Sequence, residues 1–207
     1  MTNDELNALR RDFRAGKMDA AALRFRVVKA CRNLPRPDPN EVFGKEVALI
    51  ENERLRDFVR GLLLRLPGYF WTIPASVIGF HRTEADNLLG GLARHSRKVA
   101  RVAAMMADPH NQPDARDDLL IAGLLHDGLK YGWEGTIPDG TDHALFMAEW
   151  LEKEHIFDDR PRIRSMIRCH LGRWGRVLPT DDLDWAFHLA DYLVSRGTTP
   201  HLASRFP

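Results

Sequence analysis

The sequence has little cysteine and no long apolar segment. Its two cysteines, Cys31 and Cys169, are too few and too far apart for a disulfide framework or a CxxC motif. Uncharged apolar stretches such as Gly61–Leu64 are much shorter than the ~20 residues that a membrane-spanning helix needs. The first residues also lack the apolar centre of a secretory signal. We therefore predict a cytoplasmic protein that does not associate with a membrane.

Neither sign of charge is in excess. Thirty Lys and Arg residues face 29 Asp and Glu residues, which leaves a formal net charge of +1 on 207 residues. This balance argues against a protein that binds nucleic acid through its overall charge, so an anionic ligand must be bound by a local group of cations. The sequence also lacks a P-loop for binding ATP.

Strand signals are missing as well, whereas helical signals recur along the chain. Sustained alternation of apolar and polar residues is absent, and apolar residues instead recur at helical spacing between capping residues. The segment 115–127 is apolar on nearly all sides, which predicts a buried helix. We therefore predict an all-α fold, with helices at residues 2–16, 19–30, 46–66, 92–107, 115–127, 142–154, 161–170 and 182–196.

A proline-rich segment, Pro35–Asn40, separates the first two predicted helices from the others. Each proline disfavours helical backbone at the preceding residue, so we predict a stiff, extended linker here. The chain is accordingly divided into an N-terminal helical hairpin with its linker, residues 1–40, and a metal-binding helical domain, residues 41–207.

One dipeptide, His126-Asp127, suggests a chemical function. It stands where the buried helix ends before Gly128, and at a helix end an imidazole and a carboxylate on adjacent residues can turn toward one point. An isolated pair of this kind is weak evidence. However, several other predicted helices also contain a histidine or aspartate that could reach a common centre, as in metal sites of helical bundles. The full set of candidate ligands is His95, His126, Asp127, His143, His170 and Asp191.

Asp191 is the most informative member of this set. It lies in a helix between Leu189 and Leu193, where a carboxylate would be costly to bury unless it faces a polar site. Imidazole and carboxylate ligands together suit Mn²⁺, Fe²⁺, Co²⁺, Ni²⁺ or Zn²⁺, and Mg²⁺ is not distinguished from these by the ligand set. The other histidines, His81, His110, His155, His188 and His201, are expected to be ordinary surface, capping or core residues, although His188 could support the site.

The pattern formed by His95, His126-Asp127 and Asp191 resembles the H…HD…D motif of the HD-domain superfamily. The segment Leu124–Lys130, LLHDGLK, is similar to the LLHDIGK segment of that family, with Gly128 and Leu129 where the family often has Ile-Gly. The resemblance extends over roughly residues 70–197, and its surroundings are most similar to the HD domains of some exoribonucleases and conjugative relaxases. It implies an HD-type helical bundle and a metal-dependent phosphohydrolase.

The resemblance also implies a substrate class, which is a phosphorylated small molecule or a nucleic-acid end, including nucleotides and cyclic nucleotides. Six ligand candidates suffice for one or two divalent ions, with Asp127 bridging two, and a metal-activated water would attack phosphorus. Lys130 is expected to act in catalysis and to contact the phosphate, and Arg173 and Arg176 are expected to bind substrate. Trp133 and Trp174 follow candidate ligands closely and could stack on a nucleobase.

Two alternatives remain open from the sequence. A few HD-like folds bind two irons and activate oxygen, so a di-iron oxygenase is the second hypothesis. The third is a nonenzymatic binding module in which the metal is structural and the N-terminal hairpin binds a partner.

Overall fold

The computed structural model describes residues 1–81, 83–107, 114–135 and 142–197. All regular structure in these ranges is helical, which confirms the all-α prediction. His110 and His201 lie outside the described residues. The α-helices are α1 (Asn3–Arg14), α2 (Ala20–Arg32), α3 (Pro39–Val47), α4 (Glu53–Arg65), α5 (Gly68–Thr72), α6 (Gly91–Met105), α7 (Ala115–Leu125), α8 (His143–Lys153), α9 (Pro161–Cys169) and α10 (Asp182–Ser195).

Polar side chains fix where many of these helices begin. Thr2 forms a capping box with Glu5 at the start of α1, and the Asp19 side chain accepts a hydrogen bond from the Ala22 N–H at the start of α2. Each such cap pairs a backbone N–H that the helix itself cannot satisfy. None of the helices in the described part of the chain is both long and apolar enough to cross a membrane.

The predicted helix over 46–66 is wrong at its start, because α3 ends at Val47 and α4 begins only at Glu53. Asp38 caps α3 with Pro39 in its first turn, so helix replaces the end of the expected extended linker. The chain then leaves helical structure after Val47 and resumes it at α4, where the Asn52 side chain accepts a hydrogen bond from the Leu55 N–H. The apolar spacing continues through this break, which hides it in the sequence.

Helices α6 and α7 form the centre of the core. A Cβ on Gly123 of α7 would lie 2.3 Å from the Cα of Ala100 on α6, so the two backbones are in contact at this point. Helix α7 is buried along most of its length, as its apolar sequence predicts. Helices α9 and α10 pack on this pair, and α8 packs on α9.

The N-terminal hairpin shares this core. Leu23, Val27 and Cys31 of α2 are fully buried in the same apolar cluster as α6 and α7. From α1, Arg10 donates hydrogen bonds to the carbonyl oxygens of Ser76 and Val77, at 2.7 and 2.8 Å. The division of the chain at residue 40 stays a prediction, and these contacts show how closely the two parts pack.

Candidate metal centre

The end of α7 places His126 and Asp127 in the interior. His126 directly follows the last residue of α7, and its Nδ1–H donates to the Gly123 carbonyl oxygen at 2.9 Å. Because a carbonyl can only accept, this bond fixes the proton on Nδ1 and leaves a lone pair on Nε2. The His126 residue is 1% exposed, and burial lowers its pKa, which keeps the ring neutral and able to bind a metal.

His170 repeats this geometry at the end of α9. Its Nδ1–H donates to the Ile167 carbonyl oxygen at 2.8 Å, so its Nε2 is also the free nitrogen. Burial, together with His126 and His143, lowers the pKa of His170 to about 3. The His126 and His170 rings meet edge to face with centroids 4.9 Å apart. Two helix ends therefore present two neutral imidazoles to one place.

Asp127 lies among these imidazoles and Lys130. Its Oδ1 is 3.0 Å from the Nε2 of His143 and 3.8 Å from that of His170, whereas its Oδ2 is 2.7 Å from Lys130 Nζ and 3.6 Å from the Nε2 of His126. Burial alone would raise the pKa of Asp127, but the Lys130 ammonium and the nearby imidazoles lower it well below 3.8. The carboxylate is therefore ionised at neutral pH.

Asp191 and His95 complete the group from α10 and α6. Asp191 Oδ1 lies 2.9 Å from His95 Nε2 and 3.9 Å from His126 Nε2. Burial opposes ionisation of Asp191, but its hydrogen bond with His95 and the surrounding imidazoles lower its pKa below the usual value. The helix that positions His95 begins very close to the preceding loop, since a Cβ on Gly91 would lie 1.9 Å from the Asp86 carbonyl oxygen.

These six side chains form overlapping groups that could each hold a metal ion. Within each group, one ligand atom per residue lies within 4.8 Å of the others. His126 Nε2 is buried and forms no hydrogen bond within the described residues, which is costly unless a cation pairs with it. Asp127 Oδ1 and His143 Nε2 are also buried, and they lie 3.0 Å apart without the geometry of a good hydrogen bond. The donor set therefore fits a divalent ion. The groups are His95–His126–Asp127, His126–His170–Asp191 and Asp127–His143–His170.

His81 belongs to this region, although the sequence gives it no role. Its ring contacts the His95 ring edge to face at 4.7 Å, and with Asp86 and His95 it forms a fourth group of possible ligands. Asp86 already pairs with Lys98, whose Nζ lies 2.8 Å from both carboxylate oxygens. Sequence analysis misses His81 because it lies in a loop without helical periodicity, and only the tertiary fold brings it to His95.

Two residues support the metal centre from outside. His188 donates from Nδ1 to the His170 carbonyl oxygen at 2.7 Å and packs against Gly172, where a Cβ would lie 2.4 Å from the ring. Asp142 caps α8, directly before His143, and accepts a hydrogen bond from the Arg176 backbone N–H at 2.8 Å. These contacts join the loop after α9 to α8 and α10.

A cavity of about 520 Å³ opens onto the centre. His95, Asp127, His143, His170 and Asp191 all line it, and His126 is buried beneath them. Among the described residues, Arg24, Lys130 and Arg196 are the arginines and lysines on its walls.

The two arginines that the sequence suggests for substrate binding lie elsewhere. Arg173 and Arg176 are exposed and do not line the cavity, and the Arg173 guanidinium lies over the Trp174 ring at 4.7 Å. Their role in substrate binding stays a prediction. Trp174 does line the cavity and stacks in parallel on Tyr192 with ring centroids 5.7 Å apart, whereas Trp133 packs on Trp150 at a separate surface groove.

Comparison with known proteins identifies one family. The model of the family described as HD domain matches residues 92–195, half of the chain. This range includes all six candidate ligands. Arg24, His81 and Arg196 lie outside it. No curated protein and no solved structure matches the chain.

Proposed function

The chain belongs to the HD domain family, whose members are generally metal-dependent hydrolases, and we propose that it is a metal-dependent phosphohydrolase. We further propose that its substrate is a nucleotide, a cyclic nucleotide or a nucleic-acid end. The observation that supports this proposal best is the convergence of buried imidazoles on the Asp127 carboxylate beside an open cavity, with His126 Nε2 lacking any hydrogen bond among the described residues.

His95, His126, Asp127 and Asp191 would hold a first ion, and His143 and His170 would hold a second one together with Asp127. Mn²⁺, Fe²⁺, Co²⁺, Ni²⁺, Zn²⁺ and Mg²⁺ are all compatible with these ligands. When bound, such an ion lowers the pKa of a coordinated water and neutralises phosphate charge. The protein's own part is to hold neutral imidazoles and ionised carboxylates in place at neutral pH, as the pKa shifts of His170 and Asp127 favour.

Lys130 acts between the metal ligands and the cavity. Its ammonium donates to Asp127 Oδ2 at 2.7 Å, and its side chain is 19% exposed on the cavity wall. It therefore orients the Asp127 carboxylate, and its remaining N–H groups are available to a phosphate oxygen. In this proposal Lys130 stabilises negative charge that develops on the phosphate during reaction.

The size and lining of the cavity agree with a nucleotide-like substrate. A cavity of about 520 Å³ is in the range of small-molecule sites. Trp174 lines the cavity and is 54% exposed, so we propose that a base contacts the exposed part of the Trp174–Tyr192 pair.

The test combines metal analysis with a phosphate-release screen. Protein purified without chelator is analysed for bound metal and then assayed on nucleotides, cyclic dinucleotides and oligonucleotides. We expect Asp127→Asn to remain folded by circular dichroism and to lose metal and essentially all activity, since Asp127 lies between both ligand groups. The exposed Asp182→Asn is the matched control and should behave like wild type.

Other outcomes would select the alternative functions. Full turnover by folded Asp127→Asn would exclude this active site. Oxygen consumption by iron-loaded protein, without phosphate release, would favour the di-iron oxygenase. A metal-loaded protein that is inert across the panel and consumes no oxygen would favour the binding module.

A further inference from the structure

A short loop between α5 and α6, residues 75–80, forms an apolar wall of the main cavity. Ala75, Val77, Ile78 and Phe80 all line the cavity, and the loop contains no charged residue. The same cavity is lined by five of the six candidate metal ligands. The loop lies before the range that matches the HD family.

Hydrogen bonds from two other parts of the chain hold the start of this loop in place. The Ala75 N–H donates to the Asp86 carbonyl oxygen at 2.9 Å. The buried Arg10 guanidinium of α1 donates to the carbonyl oxygens of Ser76 and Val77. The polar groups of this backbone are therefore satisfied within the protein, and its side chains are left to face the cavity.

The end of the loop is held by its own residues. Ser76 Oγ accepts a hydrogen bond from the Phe80 N–H at 2.9 Å, and the Gly79 N–H donates to the Ser76 carbonyl oxygen at 3.1 Å. Gly79 has a φ of 81°, which glycine adopts without strain. The backbone of Phe80 is thus fixed while its side chain stays 74% exposed on the cavity wall.

The cavity therefore combines a polar centre with apolar walls. A phosphate at the metal would fill only a small part of about 520 Å³, so the rest of a substrate must lie against other residues. Leu171, Trp174 and Tyr192 also line the cavity, so most of the lining side chains away from the centre are apolar or aromatic. An apolar group placed there leaves water favourably, whereas a polar group loses hydrogen bonds to water that these side chains cannot replace.

We propose that residues 75–80 form an apolar subsite for the nonphosphate part of the substrate, so that the protein prefers phosphate esters with an apolar or aromatic group over esters that carry only hydroxyl groups. This inference rests on the proposed phosphohydrolase function and specifies its substrate class. The base of a nucleotide is a group of this kind, whereas a simple sugar phosphate lacks one. The subsite also gives α1 a role in specificity, because Arg10 holds the loop.

The experiment uses n-alkylphosphonates, which resemble phosphate esters and are not hydrolysed. Dissociation constants for the full-length, metal-loaded protein are measured by calorimetry from methylphosphonate to octylphosphonate, and for phosphonates with ether chains of matching length. We expect the dissociation constant to fall about two- to fourfold for each methylene that enters the subsite, as burial of a methylene predicts, and to change little along the ether series. The heat capacity change of binding should become more negative as the alkyl chain grows.

Phe80→Ala is the main variant, because its exposed ring can be removed without opening the core. We expect it to lower the ratio of the methylphosphonate to the octylphosphonate dissociation constant at least about threefold. Ile78→Ala, in the same wall, should change this ratio in the same direction. The control is Phe25→Ala, since Phe25 is 57% exposed on α2 and does not line the cavity, and its ratio should match that of wild type.

The proposal is overturned if the dissociation constant does not depend on alkyl chain length, or if ether chains improve binding as much as alkyl chains. It is also overturned if Phe25→Ala lowers the ratio as much as Phe80→Ala. These results would leave the proposed function intact, whereas failure of the metal-loaded protein to bind a phosphonate of any length would count against that function itself.

Discussion

The two carboxylate oxygens of Asp127 face two different groups of side chains. Oδ1 faces His143 and His170, whereas Oδ2 faces His126 and Lys130. A carboxylate in this position can contribute one oxygen to each of two ions, which is the arrangement of two-metal hydrolases. The two ligand groups can therefore be separated by substitution.

We expect His143→Ala and His170→Ala to lower the metal content from about two ions toward one per chain, while the first ion stays bound. Elemental analysis of folded, desalted protein measures this. His155→Ala is the control, because His155 is exposed and bonds only to Asp158 among the groups that the structure describes around it. Unchanged metal content with weaker phosphonate binding would assign His143 and His170 to substrate recognition instead.

Lys130 should affect turnover without holding metal. An ammonium cannot ligate a cation, and in this structure it competes for Asp127 Oδ2, so Lys130→Met should keep or increase metal affinity. Turnover should fall at least about tenfold, since a positive charge near the reacting phosphate is lost. Parallel metal titrations and steady-state assays check this, with the exposed Lys153→Met as control. Equal loss of metal and activity would show that Lys130 only maintains the site.

At this scale the sequence identifies candidate ligands better than substrate contacts. The six ligand candidates stand out because a polar residue inside or at the end of an apolar helix needs a partner. The structure brings all six into overlapping groups, and five of them line one cavity while His126 is buried. Their roles as ligands stay predictions. The cavity-lining residues His81, Arg24 and Arg196 do not stand out in this way, since they lie in a loop, on a helix with exposed polar positions and after a helix end, where polar residues are ordinary.

Among the helices, the contact between α6 and α7 controls the geometry of the site. Helix α6 positions His95, and α7 ends directly before His126. Gly123 allows the two backbones to meet, because a Cβ there would lie 2.3 Å from the Cα of Ala100. A small side chain at this position must push the helices apart.

We expect Gly123→Ala to lower the free energy of unfolding by about 1–3 kcal/mol and to weaken metal binding, because overpacking at a backbone contact is not relieved by rotamer changes. The matched control is Gly61→Ala in α4, where a Cβ would meet nothing within 4 Å. That substitution should raise the free energy of unfolding by about 0.5–1 kcal/mol. Urea unfolding followed by circular dichroism measures both, and equal effects of the two substitutions would contradict the assigned helix contact.

The presence of a helix is easier to predict from this sequence than a break within an apolar segment. The helices from α6 to α10 begin and end within a few residues of their predicted limits, because capping residues, glycine and proline bound each apolar run. The sequence does not reveal the break between α3 and α4, since Leu49 and Ile50 continue the apolar spacing. The local cap at Asn52 starts α4, and tertiary contacts of the residues before it help to stabilise the break. One such contact joins the Glu51 N–H to the buried Asp117 carboxylate at 3.1 Å.

At the scale of the whole molecule, the fold class and the family follow from the sequence, and both are confirmed. The relation of residues 1–40 to the rest is harder to predict, because a proline-rich segment indicates a boundary in sequence but not whether the flanking parts share a core. In the structure the Thr72 hydroxyl donates to the Cys31 carbonyl oxygen at 2.8 Å, and α2 packs on α5.

These contacts lead us to expect that the hairpin and the remainder of the chain unfold together. Each side of residue 40 contains one buried free cysteine, Cys31 in α2 and Cys169 in α9, and burial raises the pKa of both thiols. Both thiols should therefore be protected from alkylation in the folded protein, since the thiolate is the reactive form.

A short alkylation pulse at increasing urea concentration, followed by mass spectrometry of the two cysteine-containing peptides, measures the exposure of both sites in the unmodified chain. Because α1 and α2 bury Leu6, Leu23 and Val27 in the common core, the two labelling midpoints should coincide. Labelling of Cys31 at a clearly lower urea concentration than Cys169 would instead show that residues 1–40 open on their own, and the predicted boundary would then be a real unit of stability.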